Sequence, residues 1–361
     1  MNDYIGFLWI FLAVASLALL EFCTGPYRRA NLINLYGVIF LIAIVGLRGE
    51  FDSDYEAYVG IYEQVSFDTW SGFKASFSLN VEILFVLIMV VLKIFWFSAQ
   101  SLFLVSAAGS LLVTWVYCLR RVAYPTLVLL GLLSHALLYK EFTEIRHGIA
   151  GALCLASLFL VSSNQPRRAL WLQILAAFFH SASLFVMLFS YLFQRLGRRH
   201  FIYCTTGIGL LVFAVGIQNI LNAIGAVVPL PGSVTVYSNS EYDFNLGLLN
   251  PTLIKQALSF SFFLLCVRAM QIRDKLYLDL LCFYYVSIAW LFGANEFAMF
   301  AGRLASFFGV IEVYLFSMTM AYIKSPVRRF LYFAILVVLY FAQFYLNVEF
   351  KGLFERDYHF A

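Results

Sequence analysis

The sequence predicts an all-α polytopic membrane protein. Of its 361 residues, 63% are hydrophobic and only 12% are charged, whereas a soluble domain carries about 25% charged residues. The mean hydropathy is +0.86. Many apolar runs approach the ~20 residues that a helix needs to cross a bilayer, and they lack the alternation of a membrane β-barrel. The six cysteines form no CxxC pair, so we expect them to be free packing residues.

Twelve apolar runs follow one another along the chain. They cover residues 4–22, 31–47, 83–97, 100–119, 124–139, 148–163, 169–194, 201–221, 251–270, 276–293, 303–322 and 329–346. The run at 83–97 would rise only ~22 Å as a helix, short of a ~30 Å hydrocarbon core. The run at 169–194 is long and has His180 near its middle. We therefore expect about ten full transmembrane helices, a short outer-surface helix at 83–97 and a hairpin of two half-helices at 169–194.

Clusters of basic residues predict the orientation, because short cytoplasmic loops collect Lys and Arg. The clusters are Arg28/Arg29, Arg120/Arg121, Arg167/Arg168, Arg195/Arg198/Arg199, Arg268/Arg273/Lys275 and Lys324/Arg328/Arg329. The arrangement above puts all six on the inner side, whereas crossings at both odd runs would turn two of them outward. The arrangement with all six clusters inside predicts one integral membrane domain, 1–361, with outer loops at about 48–99 and 222–250. The sequence contains neither a P-loop nor an HExxH pair, which disfavours an ATP-driven pump or a zinc protease.

Scarce charged residues and several tyrosines converge on the predicted outer face. They are Arg48, Asp54, Tyr55, Tyr58, Glu82, Glu144, Arg146, His147, His180 and Arg303. Guanidinium groups at the outer ends of spans suit a diphosphate, which they bind bidentately. His180 or Asp54 could act as a general base, and the tyrosines could stack on sugar rings. The alternative interpretation is that the arginines snorkel or pair with acids, His180 packs helices, and the tyrosines anchor the interface.

Several stretches resemble motifs of the EpsG-type polysaccharide polymerases. GLRGEFDSDYEAY is similar to a segment in which Gly-x-Arg is followed by Asp-Tyr-x-x-Tyr, and Glu82 also fits the family pattern. FTEIRHGIA is similar to Ile-Arg-Gln-x-Ile-Ala, LAAFFHSASLF to Ala-x-x-Phe-His-x-Ser-Ala, and AGRLASFF to Arg-Leu-x-x-Tyr-Phe. The chain departs from these motifs at His147, where the family has Gln, and at Phe307, where it has Tyr. The resemblance covers residues from about 31 to 320.

The resemblance implies a Wzy-like polymerase of O-antigen, capsule or exopolysaccharide with a GT-C-like architecture. Such an enzyme joins polyprenyl-diphosphate-linked oligosaccharides, one as donor and one as acceptor, at the periplasmic face of the bacterial inner membrane. Arg146, with Asp54 or His180 as base, would be catalytic. The substrate-binding residues would be Arg48, Arg303, Tyr55, Tyr58, Glu82, Glu144 and His147. No metal, cofactor or nucleic acid is expected, and a chain-length co-polymerase is compatible with the resemblance.

Two other functions compete with this interpretation. A flippase or transporter of lipid-linked oligosaccharides would place cations in the middle of the bundle and show an internal repeat. We find no repeat, and the charges cluster at one predicted face. An O-antigen ligase uses the same donor with a different acceptor, and sequence alone separates it poorly from a polymerase.

Overall fold

A computed structural model of the chain describes residues 5–25, 29–50, 53–79, 81–226 and 245–350. Over these residues the chain forms helices and no strand, which confirms the predicted all-α class. Most of the predicted outer loop at 222–250, namely residues 227–244, lies outside the described part. All six cysteines are free, as predicted.

Along the described residues, ten α-helices precede His180. They are α1 (Ile5–Thr24), α2 (Arg29–Gly46), α3 (Ser53–Gln64), α4 (Trp70–Ser76), α5 (Ile83–Ile94), α6 (Gln100–Tyr117), α7 (Pro125–Ser134), α8 (Ala136–Lys140), α9 (Ile145–Ser162) and α10 (Pro166–Phe179). The described helices after His180 are α11 (Leu184–Val215), α12 (Ile217–Gly225), α13 (Pro251–Ala269), α14 (Lys275–Gly293), α15 (Ala298–Gly309), α16 (Ile311–Tyr322) and α17 (Pro326–Tyr345). A π-helical turn, Leu346–Phe350, continues α17.

Seven helical segments of the described chain are long and apolar enough to cross a membrane, which confirms a multi-pass membrane protein. They are Ile5–Thr24, Gln100–Arg121, Ile145–Ser162, Pro251–Ala269, Lys275–Gly293, Ala298–Tyr322 and Pro326–Glu349. The bent pair Ser181–Val215 and Ile217–Gly225 makes an eighth. The predicted ten also require the shorter helices Leu32–Gly46 and Pro125–Ser134 to cross.

The predicted span at 124–139 is interrupted, unlike the continuous run in the sequence. Helix α7 ends at Ser134, and His135 takes φ −147° and ψ −64° before α8 begins. Asn347 donates to the carbonyl of Ser134 over 2.9 Å and lies 3.2 Å from Nδ1 of His135. This side chain therefore satisfies a backbone group that the break releases.

The short helix predicted at 83–97 is α5, which ends at Ile94. Its twelve residues rise ~18 Å, too little to cross a bilayer. Beyond it Trp96 has a left-handed φ of 54°. Lys93, near the end of α5, donates to the carbonyls of Glu63 and Val65 over 2.9 and 2.6 Å. This lysine ties the end of α5 to the end of α3.

The helix break predicted near His180 is present. Helix α10 ends at Phe179, a 3₁₀ turn covers Ser181–Ser183, and α11 begins at Leu184. That the two helices fold back on each other as a hairpin stays a prediction. A second break interrupts α11 at Gly197, where φ is 68° and ψ is 170°. Only glycine adopts this conformation readily, so Gly197 separates the predicted runs at 169–194 and 201–221.

Backbone contacts divide the chain into two compact units. Unit 1 comprises Met1–Ala156, Trp171–Ser181 and Phe316–Ala361, and unit 2 comprises Ser157–Leu170 and Ala182–Leu315. The prediction of a single integral domain stays a prediction. In unit 1, α1 packs against α2 and α7, α2 against α6, and α17 against α7. Phe22 of α1 stacks on Phe333 of α17 with ring centroids 4.7 Å apart.

In unit 2, α14 lies against α11, α13 and α15. Glycines allow α11 and α14 to approach closely. A Cβ on Gly209 would lie 2.8 Å from the carbonyl oxygen of Ala289, and one on Gly293 would lie 2.7 Å from that of Gly209. Small residues at such contacts are how membrane helices gain packing energy, since lipid gives no hydrophobic drive between them.

A buried carboxylate connects α1 to the start of α7 in unit 1. Glu21 accepts hydrogen bonds from the backbone N–H groups of Thr126 and Leu127 over 2.9 and 3.4 Å, and from the Thr126 hydroxyl over 3.1 Å. Pro125 is the first residue of α7 and has no N–H to satisfy. Glu21 therefore caps a helix N-terminus from a neighbouring helix, because its side-chain oxygens satisfy backbone N–H groups that lack intrahelical acceptors.

We expect Glu21→Leu to lower the free energy of unfolding by about 2–4 kcal/mol, because two buried N–H donors would lose their acceptor. Thermal unfolding of the purified protein in detergent measures the effect. Glu21→Gln is the matched control, since it keeps an acceptor oxygen and should lose less. Equal transition temperatures for the Leu and Gln variants would contradict the capping role.

Candidate functional site

Three predicted site residues meet at one carboxylate. Glu82 immediately precedes α5, Arg146 is the second residue of α9, and His180 follows α10. Oε2 of Glu82 lies 2.6 Å from Nη1 of Arg146, and Oε1 lies 2.9 Å from Nδ1 of His180. The N–H of Ser181 also points to Oε1 over 3.4 Å. We call Tyr58, Glu82, Glu144, Arg146, His147 and His180 the Glu82 cluster, and all six belong to unit 1.

The charge state of Glu82 determines the tautomer of its histidine partner. Burial alone would raise the pKa of Glu82, but the hydrogen bond with His180 and the charge of Arg146 outweigh it and lower the pKa to about 2. The ionised carboxylate can only accept hydrogen bonds. Nδ1 of His180 must therefore carry a proton in this contact, which leaves Nε2 as the accepting nitrogen of a neutral ring.

Tyr58 places a buried hydroxyl against Arg146. Burial raises the pKa of Tyr58 to about 12, although its hydrogen bond with Arg146 and the charge of that residue act the other way. The tyrosine ring packs edge-on against Phe85 of α5, with centroids 5.9 Å apart. Asp54, one turn earlier on α3, and Glu144 both act electrostatically on the Tyr58 hydroxyl. The first helix of the predicted outer loop therefore contributes directly to the cluster.

A second imidazole lies beside His180. The rings of His147 and His180 have centroids 5.3 Å apart and are tilted by 56°. His147 is buried, and its Nδ1 lies 3.8 Å from Oε2 of Glu144. The departure from the family motif at position 147 is thus located inside the cluster.

The buried Lys140 and the partly buried Glu141, both ionisable, lie next to the start of α9. A Cβ on Gly148 would lie 3.1 Å from the carbonyl oxygen of Lys140, and one on Gly151 would lie 3.4 Å from Nζ of Lys140. These glycines make room for the buried lysine, whose pKa is lowered by burial. Glu141 accepts a hydrogen bond from Ser110 over 2.7 Å, and burial raises its pKa to about 7.

Arg48 has a different environment from the one the sequence suggested. Its side chain is 0% exposed. Nη1 donates to the carbonyl of Glu141 over 2.7 Å, and the guanidinium lies 4.6 Å from the ring centroid of Phe103. Other protein groups cover this guanidinium in the described conformation. We therefore interpret Arg48 as a residue that positions the segment before α9, and its direct binding of a diphosphate stays an untested prediction.

Tyr55 likewise packs inside unit 1. Its ring stacks on Phe103 with centroids 4.7 Å apart, and its hydroxyl donates to Gln100 over 3.0 Å. Gln100 in turn donates to the carbonyls of Gly46 and Arg48 over 2.7 and 3.1 Å. Gln100 was not recognised in the sequence, although a polar amide opening an apolar run was the available signal. These contacts account for the position of Tyr55 without a bound sugar, and stacking of Tyr55 on a sugar ring stays a prediction.

Arg303 lies on α15 in unit 2 and is half-buried. Ser306 donates to its carbonyl over 2.7 Å. Its predicted role at a diphosphate stays a prediction. Within the described ranges, no three His, Cys, Asp or Glu side chains group so as to hold a metal ion.

Comparison with known proteins places the chain in a family. The family model described as EpsG family matches residues 32–358. The chain belongs to the EpsG family. The resemblance found in the sequence motifs is thereby confirmed, and the whole Glu82 cluster falls within the matched residues.

A curated relative agrees with EpsG family membership. The chain is 25% identical over 344 residues to the amylovoran biosynthesis protein AmsC of Erwinia amylovora, and the alignment covers 88% of this chain and 89% of the relative. No solved structure matches the chain, so the GT-C-like architecture stays a prediction. The protein is therefore a multi-pass membrane protein of the EpsG family, whose membership supports a role in polysaccharide biosynthesis.

The lowered pKa of Glu82 predicts a pH-dependent contribution to stability. Because the folded-state pKa is depressed, wild type should exceed Glu82→Gln in stability above the ordinary value of 4.5 and lose that advantage as the pH falls toward 2. The shift corresponds to about 3 kcal/mol at most. Thermal unfolding of both proteins between about pH 3 and 7 measures the difference.

Glu63→Gln serves as a matched control for this experiment, since Glu63 is an exposed acid of the same unit. Its difference from wild type should stay small. A Glu82→Gln difference that does not change with pH would show that the carboxylate charge does not hold the cluster.

Proposed function

We propose that this protein is a polysaccharide polymerase that joins polyprenyl-diphosphate-linked oligosaccharide repeat units. Membership of the EpsG family and similarity to a protein named for amylovoran biosynthesis support a polymerase. The observation that carries the chemistry is the Glu82 carboxylate, which holds a cationic guanidinium and an imidazole side by side. We place the reaction at the periplasmic face of the bacterial inner membrane, because the predicted inner loops are short and basic.

The proposed reaction makes one glycosidic bond and breaks one. An acceptor hydroxyl oxygen attacks the anomeric carbon of the lipid-linked donor. The bond between that carbon and the diphosphate oxygen breaks, and the electron pair leaves with the lipid diphosphate. The hydroxyl proton passes to a base. Catalysis therefore needs an acceptor for a proton and a donor of positive charge to the leaving group.

His180 is the base that the geometry favours. Its Nδ1 is held by Glu82 over 2.9 Å, so Nε2 is the nitrogen that takes the proton. The side chain is 19% exposed, which leaves the ring accessible at one edge. When the ring becomes cationic, the Glu82 carboxylate stabilises it. Asp54, near Tyr58, is the alternative base.

Arg146 supplies the positive charge in this proposal. A guanidinium has five N–H donors, and Glu82 accepts from Nη1. Tyr58 also bonds to Arg146, so two contacts fix the orientation of the guanidinium. Its side chain is 28% exposed. Such preorganised charge stabilises a developing oxyanion without reorganisation during the reaction, and no metal or cofactor is included in the proposed step.

The remaining cluster residues are proposed to bind sugar. His147 lies beside the imidazole of His180, and Glu144 lies beside His147. Their side chains can form hydrogen bonds with sugar hydroxyl groups. The polymerase uses two lipid-linked substrates, one as donor and one as acceptor. A separate co-polymerase that sets chain length is compatible with the proposal.

We expect Arg146→Ala to reduce polymerisation by about 10²–10³-fold, because the leaving diphosphate loses its charge partner. Arg146→Lys should retain part of this activity, since it keeps the charge but not the planar fork. The assay uses purified protein with its lipid-diphosphate-linked repeat unit, and a gel resolves the ladder of product lengths. Arg328→Ala, at an exposed arginine of unit 1, is the matched control and should leave the ladder unchanged.

The same preparation separates the competing functions. Transbilayer movement of the lipid-linked repeat in vesicles, with no ladder, would reject the polymerase and favour a flippase. Transfer of one preformed chain to a different acceptor, again with no ladder, would favour a ligase. A ladder made by folded Arg146→Ala at the wild-type rate would exclude Arg146 from the reaction.

We expect His180→Gln to lower the turnover rate by about 10²–10⁴-fold, because the base is removed. Glu82→Gln should retain more activity, since Glu82 acts through His180. Asp54→Asn is the discriminating variant. If Asp54→Asn lowers the turnover rate by this amount while His180→Gln leaves it near that of wild type, Asp54 and not His180 is the base.

A further inference from the structure

A cavity of about 790 Å³ lies in unit 2, outside the Glu82 cluster. Its polar lining includes Asn164, Arg198, Lys275 and Asp279. A neighbouring recess of about 480 Å³ shares Asn164 with it and adds Arg167 and Arg168. The volume of the larger cavity is within the ~300–1,000 Å³ typical of ligand sites.

Three helix starts line this cavity. Helix α10 begins at Pro166, the second half of α11 begins after the break at Gly197, and α14 begins at Lys275. The first N–H groups of a helix lack intrahelical acceptors, and the helix dipole adds partial positive charge there. Helix starts alone do not make a site. Here they lie beside four cationic side chains, namely Arg198 and Lys275 in the cavity and Arg167 and Arg168 in the recess.

Two of the cations, Lys275 and Arg198, line the cavity and are held by neighbouring groups while they stay partly exposed. Lys275 donates to the carbonyl of Ser162 and to Oδ1 of Asn164 over 2.6 and 2.8 Å. Arg198 pairs with Oδ1 of Asp279 over 2.6 Å, and its Nη2 donates to the carbonyl of Lys275 over 3.2 Å. The side chains of Arg198 and Lys275 are 39% and 51% exposed.

The charge balance of this site is positive. Asp279 is buried, and its Oδ2 lies 3.7 Å from Nζ of Lys275, so its negative charge is opposed by two cations. Arg167 and Arg168 are exposed and add two more charges. The arrangement therefore favours an anion, and guanidinium and ammonium groups together suit a phosphate.

We propose that this cavity and the neighbouring recess together bind the phosphate of an anionic phospholipid headgroup. Two further observations favour a lipid over free phosphate. The buried apolar residues Val161 and Phe193 form part of the wall, and Leu170, the next turn of α10, is exposed and can contact an acyl chain. The cavity residues belong to basic clusters that the sequence places at the inner face, where anionic lipids attract such clusters. The proposal does not depend on the polymerase activity.

The test compares lipid binding to the full-length protein in neutral detergent, measured by native mass spectrometry and by thermal shift. The probes are short-chain phosphatidylglycerol, phosphatidylcholine of the same chain length and inorganic phosphate. Wild type should bind phosphatidylglycerol at least tenfold more tightly than phosphatidylcholine. Arg167→Gln/Arg168→Gln should lose most of that preference, because it removes two cations without changing the Arg198–Asp279 pair.

Arg195→Gln/Arg199→Gln is the matched control. It removes two charges from the same region, but these guanidinium groups lie over Tyr191 and Tyr203, at 5.3 and 5.8 Å from the ring centroids. Its lipid preference should stay within about twofold of wild type. If Arg167→Gln/Arg168→Gln is unstable without lipid, the single variant Arg167→Gln is compared with wild type instead.

Each outcome bears on the proposal. Loss of the phosphatidylglycerol preference in Arg167→Gln/Arg168→Gln, but not in Arg195→Gln/Arg199→Gln, supports the proposal. An equal loss in both double variants would overturn it in favour of general surface charge, and equal binding of both lipids would overturn it outright. Inorganic phosphate that binds the wild type as tightly as the anionic lipid would overturn the lipid as ligand and leave a phosphate site.

Discussion

The carboxylate of Glu82 is the interaction on which the described arrangement of unit 1 depends. One side chain at the start of α5 bonds to the first turn of α9 and to the end of α10. A buried charge is costly unless it is paired and hydrogen-bonded, and removing one partner leaves the other uncompensated. The two contacts are therefore mutually dependent. The same dependence holds the guanidinium and the imidazole against the two oxygens of one carboxylate.

Other buried polar side chains in this apolar chain also have hydrogen-bond or ionic partners. Glu21 caps α7, and Arg48 bonds to the carbonyl of Glu141. In unit 2, Glu312 pairs with Lys255 over 2.8 Å and accepts from Ser259 over 2.6 Å. The contacts of Glu21 and Glu312 join different helices rather than neighbours on one helix. Polar groups thus specify which helices pack together. Apolar side chains do so less, because their contacts with lipid and with other helices differ little in free energy.

Much of the fold could be predicted from the sequence, because membrane helices are set by length and hydropathy. The break at His180 and the short helix α5 followed from run length, and the clustering of Glu82, Arg146 and His180 followed from their shared predicted face. The burial of Arg48 could not be predicted, because it depends on Phe103 and on a carbonyl 93 residues away. The break at His135 was also missed, since the residue that stabilises it, Asn347, lies near the other end of the chain.

The wide separation of the cluster residues along the chain has a consequence for biogenesis. Glu82 is 64 residues before Arg146 and 98 before His180. A chain made from its N-terminus exposes Glu82 long before either partner has left the ribosome. Until then its carboxylate must remain in water or at the membrane surface, because no counter-charge is available to bury it. Helix α5 can therefore dock with its carboxylate paired only after the segment through residue 181 has been made and inserted.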